Sequence, residues 1–393
     1  MPEDIKQMTR LLFTAVMRGD SEKVASLLAA GADINARDKY EATVLMYTAK
    51  NGNVDIAKLL LANGADVNAE NKYKATALIY AAESGNVDIA KLLLANGADI
   101  NARDKYEATV LMYTAKNGNV DIATLLLANG ADVNSVDKHG ATALIYAAYH
   151  ANVDIAKLLL DNGADVNARD KYRVTALMNT AKSGNVDIAT LLLANGADVN
   201  AADENGAAAL MYAAKSGNVN IAKLLLANGA DVNAENKYDA TALMYATNHR
   251  SVDIAKLLLD NGADVNVVDK DGATVLMYVA KSGNVNIAKL LLANGANVNV
   301  GDKNGATALL NAAKSGNVDI AKLLLDNGAD VNAGDQKVLP FLKTALNIVK
   351  VRIVEMIKPF WYKDTDVNSV DTSTAYGSVV VISGKVEQNL EEL

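Results

Sequence analysis

The chain has no cysteine among its 393 residues. Disulfides, thiolate metal sites and a cysteine nucleophile are therefore excluded, and the redox compartment leaves no mark on the sequence. Histidine is scarce, present only as His139, His150 and His249. No window approaches the roughly 20 apolar residues of a membrane helix. The N-terminus, MPEDIKQMTRLLFTAV, carries acids early and no unbroken apolar stretch, so it does not read as a secretory signal. A soluble, cytoplasmic protein is expected, with delivery into a host cell left open. Basic charge is in deficit: 38 Lys and Arg against 46 Asp and Glu give −8 at pH 7. That balance argues against general nucleic-acid binding.

What the sequence has in abundance is itself. Gly31 opens the 33-residue run GADINARDKYEATVLMYTAKNGNVDIAKLLLAN, and the pattern restarts at Gly64, Gly97, Gly130, Gly163, Gly196, Gly229, Gly262 and Gly295. Nine full copies thus span 31–327, and a degenerate tenth starts at Gly328. Length alone would suggest two or three domains, but a repeat array grows by stacking and not by enlarging one core.

Each copy reads as turn, helix, turn, helix. Thr43 is placed to cap the first helix through its hydroxyl, and Leu45, Met46 and Ala49 define a narrow inward face. Gly52 suits a left-handed helix end. Asn53 caps the second helix, Asp55 sits favourably in its first turn, and Ile56, Ala57, Leu59 and Leu60 are apolar. The segment after Gly64 leads into a projecting hairpin. No copy could bury its leucines alone, so each must cover the next.

Over about residues 9–358 the chain strongly resembles the ankyrin-repeat family, whose signature is T-P-L-H-x-A followed by G-A-D-V-N. Here these stand as Thr43-Val44-Leu45-Met46-Tyr47-Thr48-Ala49 and Gly64-Ala65-Asp66-Val67-Asn68. The resemblance implies an all-α solenoid of helix-turn-helix layers with β-hairpin-like loops, about ten to eleven layers with the caps. Two features depart from the signature. Its proline is Ala or Val in every full copy, and its histidine is Met, Ile or Leu, so the bonds of that histidine must be absent or replaced.

Residues 1–30 read as capping helices, with Ile5, Met8, Leu12 and Val16 on one stripe, and 328–360 as a degenerate capping repeat. The tail 361–393 does not repeat. It carries one β-branched run, SVVVISGKVEQNL, that suits a strand or a docking segment.

Catalytic chemistry finds no constellation. No phosphate-binding loop or nucleophile motif occurs. His139 and His150 share copy four, but His249 lies three layers away, on the order of 30 Å at helix-packing spacing, so no metal site is expected. The Asp and Asn residues of GADVN suit turn chemistry better than calcium. The reading is a non-enzyme without cofactor or metal.

Variation between copies is where binding is sought. The hairpin tip reads Asp/Asn-Lys-x-x in most copies. In copies one, two, three, five and seven its third residue is Tyr40, Tyr73, Tyr106, Tyr172 and Tyr238, each followed by a charged residue. In copies four, six, eight and nine the fourth residue is glycine. Because glycine there suits positive φ, and a charged residue would be disfavoured by roughly 1 kcal/mol, the tyrosine class is expected to use a different turn. Its tyrosines are candidate aromatic anchors, with Arg37 and Arg103 supplying alternating charge beside Glu41 and Glu107. A second tyrosine column, from Tyr47 to Tyr278, reads as packing. Copies four and seven break the inter-helix turn, placing Tyr149-His150 and Asn248-His249 where the resemblance implies a concave surface.

The expected function is a protein-binding scaffold whose partner, another protein, lies along the hairpin tips and inner helices. The alternative is a structural protein that self-associates head to tail through its end caps or the tail 361–393.

Overall fold

In the computed structural model of the chain, residues 3–333 are described. Expectations for the tenth copy past residue 333 and for the tail 361–393 lie outside them. The chain divides into two compact units, Met1–Asp231 and Val232–Leu393.

The described residues form helices and turns, with isolated β-bridges such as Arg37 to Thr43 across a hairpin and no longer strand. The first unit opens with α1 (Glu3–Arg18) and α2 (Ser21–Ala29). Each copy then adds a pair: α3 (Val44–Asn51) and α4 (Val54–Ala62), α5 (Ala77–Ser84) and α6 (Val87–Ala95), α7 (Val110–Asn117) and α8 (Val120–Ala128). There follow α9 (Ala143–Tyr149) and α10 (Val153–Asp161), α11 (Ala176–Ser183) and α12 (Val186–Ala194), α13 (Ala209–Ser216) and α14 (Val219–Ala227). The second unit holds α15 (Ala242–Asn248) and α16 (Val252–Asp260), α17 (Val275–Ser282) and α18 (Val285–Ala293), α19 (Ala308–Lys314) and α20 (Val318–Asp326). Within each unit first helices pack on first helices and second on second. This is the all-α helical-repeat solenoid that the periodicity predicts.

Local chemistry accounts for the helix ends. Thr43, extended at φ −91° and ψ 163°, accepts from the Met46 amide, and Gly52 ends α3 in the left-handed region at φ 81°. The methionine at the position of the signature histidine bonds back to the capping threonine. The sulfurs of Met46 and Met112 accept from the backbone amides of Thr43 and Thr109 at 3.4 Å.

The buried face of α3 is wider than the predicted stripe. Val44, Leu45, Met46, Thr48 and Ala49 are all buried, because α3 is packed against α1, α4 and α5 at once. The core continues through Ile56, Ala57 and Leu60 of α4 and their equivalents in every copy. Truncating one such leucine to alanine costs about 2–5 kcal/mol. In α1, Leu12, Ala15 and Val16 are buried while Leu11 and Met17 are exposed.

Successive layers are tied by asparagine. The Asn35 side chain accepts from the Asp66 amide at 2.8 Å and donates to the Gly64 carbonyl at 3.4 Å. Asn68 does the same toward Asp99 and Gly97, at 2.8 and 3.0 Å. Asp66 meanwhile accepts from the amide of Asn68 at 3.0 Å, the Asx turn expected of GADVN.

Candidate functional site

The hairpin tip is built around one carboxylate. Oδ1 of Asp38 accepts from the amides of Tyr40 and Ala42, at 2.8 and 2.9 Å, and Oδ2 accepts from the Tyr47 hydroxyl at 2.6 Å. One side chain thus closes the turn and fastens it to α3. The device recurs with Asp104 and Tyr113, Asp137 and Tyr146, Asp203 and Tyr212, and Asp269 and Tyr278. In copies two and seven an asparagine stands in, and its amide donates to the tyrosine: Asn71 to Tyr80 at 2.9 Å, Asn236 to Tyr245 at 3.0 Å. The Tyr47 column therefore packs, and also anchors the tips. Its sequence signal, an Asp or Asn nine residues before a Tyr in seven of nine copies, is readable once the pairing is known.

The electrostatics follow from that geometry. The hydrogen bond to Asp38, joined by burial, pushes the Tyr47 phenol up to about 12. At Asp38 desolvation works upward, but the bonds from Tyr47, Ala42 and Tyr40 outweigh it and the carboxyl lies below its ordinary value. Burial and then the aspartate bond raise Tyr113, Tyr146 and Tyr278 as well.

The tyrosine class does not use a different turn. Glu41, Lys74, Glu107, Arg173 and Asp239 all adopt positive φ, between 55° and 62°, at the same place where Gly140, Gly206, Gly272 and Gly305 do. The expected penalty of roughly 1 kcal/mol is offset locally. The amides on both sides of Glu41 are held by Asp38, the Glu41 amide donates to the Asp38 carbonyl at 2.9 Å, and the Tyr40 carbonyl accepts from the Lys72 amide of the next tip at 2.9 Å. At about 0.5–1.5 kcal/mol each, four bonds exceed the strain.

The tip tyrosines are exposed, from 40% at Tyr73 to 60% at Tyr238. Lysines lie over four of them. The Lys39 ammonium is 4.9 Å from the Tyr40 ring centre, and Lys171 is 4.7 Å from Tyr172. Lys105 bridges two tips, 4.3 Å from Tyr73 and 4.8 Å from Tyr106. In copy four, where His139 replaces the tyrosine, Lys171 also reaches the histidine Nδ1 at 2.7 Å.

The other candidates are dispersed. Arg37 donates to the Glu70 carbonyl at 2.6 Å, and Arg103 to the Val136 carbonyl at 3.0 Å and the Ser135 hydroxyl at 3.1 Å. Both guanidinium groups tie one hairpin to the next. Tyr149 and His150 end α9 with their rings edge to face at 5.0 Å, and Tyr149 is exposed. Burial, with the Lys116 charge, lowers the His150 imidazole. Asn248 and His249 are exposed at the end of α15, beside Arg250, which donates to the Ser282 carbonyl at 2.9 Å. Ala151 and Arg250 keep positive φ, 60° and 61°, without glycine.

Among the described residues no three His, Asp or Glu side chains are grouped to hold a metal ion, and no helix is long and apolar enough to cross a membrane. Among curated proteins nothing matches the chain. A family model of ankyrin repeats in three copies matches residues 12–104, 101–170, 177–269 and 243–335, and one of ankyrin repeats in many copies matches 150–193. These spans take in most of the 393 residues, and their 33-residue unit is the one the structure stacks: the chain belongs to the ankyrin-repeat family.

Proposed function

We propose that this chain is a non-enzymatic scaffold that binds another protein along its hairpin tips and inner helices. Ankyrin repeats are in general protein–protein interaction modules; the finer assignment rests on one observation. Tyr40, Tyr73 and Tyr106 stand exposed on three consecutive tips whose backbones are bonded to one another, Lys72 to Tyr40 at 2.9 Å and Lys105 to Tyr73 at 2.8 Å. Rigid aromatic side chains on a fixed frame lose little entropy on binding, which is what an interface anchor requires. Arg37, Arg103, Tyr149, His150, Asn248 and His249 complete the proposed surface, the two arginines acting chiefly by fixing the tips.

A partner is to be captured with the full chain and identified by mass spectrometry, and its affinity measured for the triple variant Tyr40→Ala, Tyr73→Ala, Tyr106→Ala. A loss of about 2 kcal/mol or more per buried anchor is expected. A folded variant with unchanged affinity removes the anchor role. The self-association reading places its contacts in the end caps or in 361–393, and light scattering with and without that tail decides it. A concentration-dependent mass that disappears with the tail favours assembly.

A further inference from the structure

One tip tyrosine differs from the rest. Tyr40, Tyr73, Tyr106 and Tyr172 each have a lysine ammonium 4.3–4.9 Å from the ring centre. Tyr238 has none among the described residues, although Lys237 precedes it and the Lys270 amide donates to its carbonyl at 3.1 Å. It is also the most exposed of the five tip tyrosines, at 60%. Its ring forms one wall of a cleft of about 520 Å³ within the second unit, where Tyr245, Tyr278 and Met244 add apolar surface and Asp269 and Asp271 add carboxylates. That volume lies within the range of sites that take a side chain or small ligand.

The charges in the cleft are fixed differently. Asp269 is held by the Tyr278 hydroxyl and by the amides of Asp271 and Ala273, both at 2.9 Å. Asp271 is exposed, and its charge acts on the Tyr278 phenol. Lys270 also lines the cleft, so two aspartates against one lysine leave a net −1. Open aromatic faces beside an uncompensated carboxylate are the surroundings that attract an organic cation.

We infer that this cleft receives an arginine side chain of the protein partner, its guanidinium stacked on Tyr238 and paired with Asp271. The inference rests on the scaffold reading and supplies the partner's chemistry at one point. The chain provides the analogy itself: at the other four tips its own lysine takes the place that the partner's cation takes here. Arginine suits the site better than lysine, because a planar guanidinium can stack on a phenol ring and present its edge to a carboxylate together.

The test uses the full chain labelled with 3-fluorotyrosine, whose fifteen tyrosines give separate fluorine resonances, assigned through Tyr→Phe variants at 238, 245 and 278. The probe is acetyl-Gly-Arg-Gly-amide, and the control is the same peptide with citrulline, which keeps the shape and loses the charge. The Tyr238 and Tyr278 signals should move saturably with the arginine peptide. The citrulline peptide, and the arginine peptide on Asp271→Asn, should bind roughly two- to fivefold more weakly, the range of an exposed cation–aromatic contact. Lys270→Met should bind the arginine peptide more tightly. Equal response to both peptides, equal shifts at Tyr40 and Tyr238, or no saturable shift overturns the inference. Such a failure leaves the scaffold reading standing, since that reading is decided by the captured partner and the triple tyrosine variant.

Discussion

Replacing Gly52 with alanine should do two separable things. Gly52 sits at φ 81°, where an alanine is disfavoured by about 1–2 kcal/mol. A Cβ built there lies 2.7 Å from Oδ1 of Asn86 in the next copy, closer than two such atoms can come. Asn86 is held in that position by donating to the carbonyls of Ala49 at 2.6 Å and Lys50 at 3.3 Å. It must therefore leave, with a loss of about 1 kcal/mol. It has somewhere to go. Where the preceding turn lacks glycine, at Ala151 and Arg250, the following asparagine caps its own helix instead: Asn185 accepts from Ile188 at 2.9 Å and Asn284 from Ile287 at 3.1 Å. The capping bond returns about 0.5–1 kcal/mol, and alanine narrows the unfolded ensemble by about 0.4–1 kcal/mol. The net cost is about 1 kcal/mol. Native-state amide exchange measures it locally, which suits an array whose layers open separately. The Ile89 amide, which has no side-chain cap now, should become more protected while the amides of α3 become less so. Lower stability with Ile89 unchanged would leave backbone strain as the whole effect. No change in either would refute the argument.

The converse substitution, Ala151→Gly, should free Asn185 to reach back, so Ile188 loses its cap and exchanges faster, with overall stability changed by less than about 1 kcal/mol as relieved strain and added chain entropy offset. Tyr47 should ionise late in an alkaline absorbance titration, and Asp38→Asn should bring it earlier. Its folded value is raised from 10.0 to about 12, so the stability it contributes is full below pH 10 and lost as pH rises toward 12. Asp38 is depressed below 3.8, so its contribution is present above that value and lost as pH falls through the folded value, and Tyr47→Phe should flatten that acid limb. Thr241→Val should be close to neutral or stabilising in urea denaturation, because the buried Thr241 hydroxyl has no hydrogen-bond partner among the described residues. Thr43→Val should cost about 1 kcal/mol, because Thr43 caps α3.

How much of this was legible in the sequence varies with the range of the interaction. The 33-residue period, the Thr and Asn caps, the glycine ends and the Ile-Ala-x-x-Leu core are short-range patterns, and they read directly into helices. The turn of the tyrosine class does not follow from a single-residue preference. The strain at Glu41 is real, but the bonds from Asp38 and from the next tip are larger, and those partners stand up to 31 residues away. The bonds of Arg37 to Glu70 and of Asn86 to Ala49 were hidden for the same reason. Both join residues a full repeat or more apart, and nothing in the order of residues says which way a long side chain turns. The candidate tyrosines were visible because they recur; the cleft at Tyr238 was not, because it depends on no lysine among the described residues lying over one ring.

Copy seven gathers several departures at once. Arg250 occupies a left-handed position that glycine holds in most copies, and its bond to the Ser282 carbonyl offsets that strain. The Thr241 hydroxyl, at the place where Thr43, Thr109 and Thr274 cap their helices, is buried with no hydrogen-bond partner among the described residues. Tyr238 is uncovered, and the cleft lies against it. In an array of near-identical units each copy is a control for the others, so these features are not demands of the fold. An unmatched hydroxyl lowers stability by about 1–3 kcal/mol, and backbone strain of the kind found at Arg250 collects at binding sites. Copy four shares the broken turn at Ala151 but keeps its tip in contact through Lys171. Among the described residues, a broken inter-helix turn and a tip tyrosine with no lysine over its ring occur together in copy seven, which is the reason to look for the partner's cation there first.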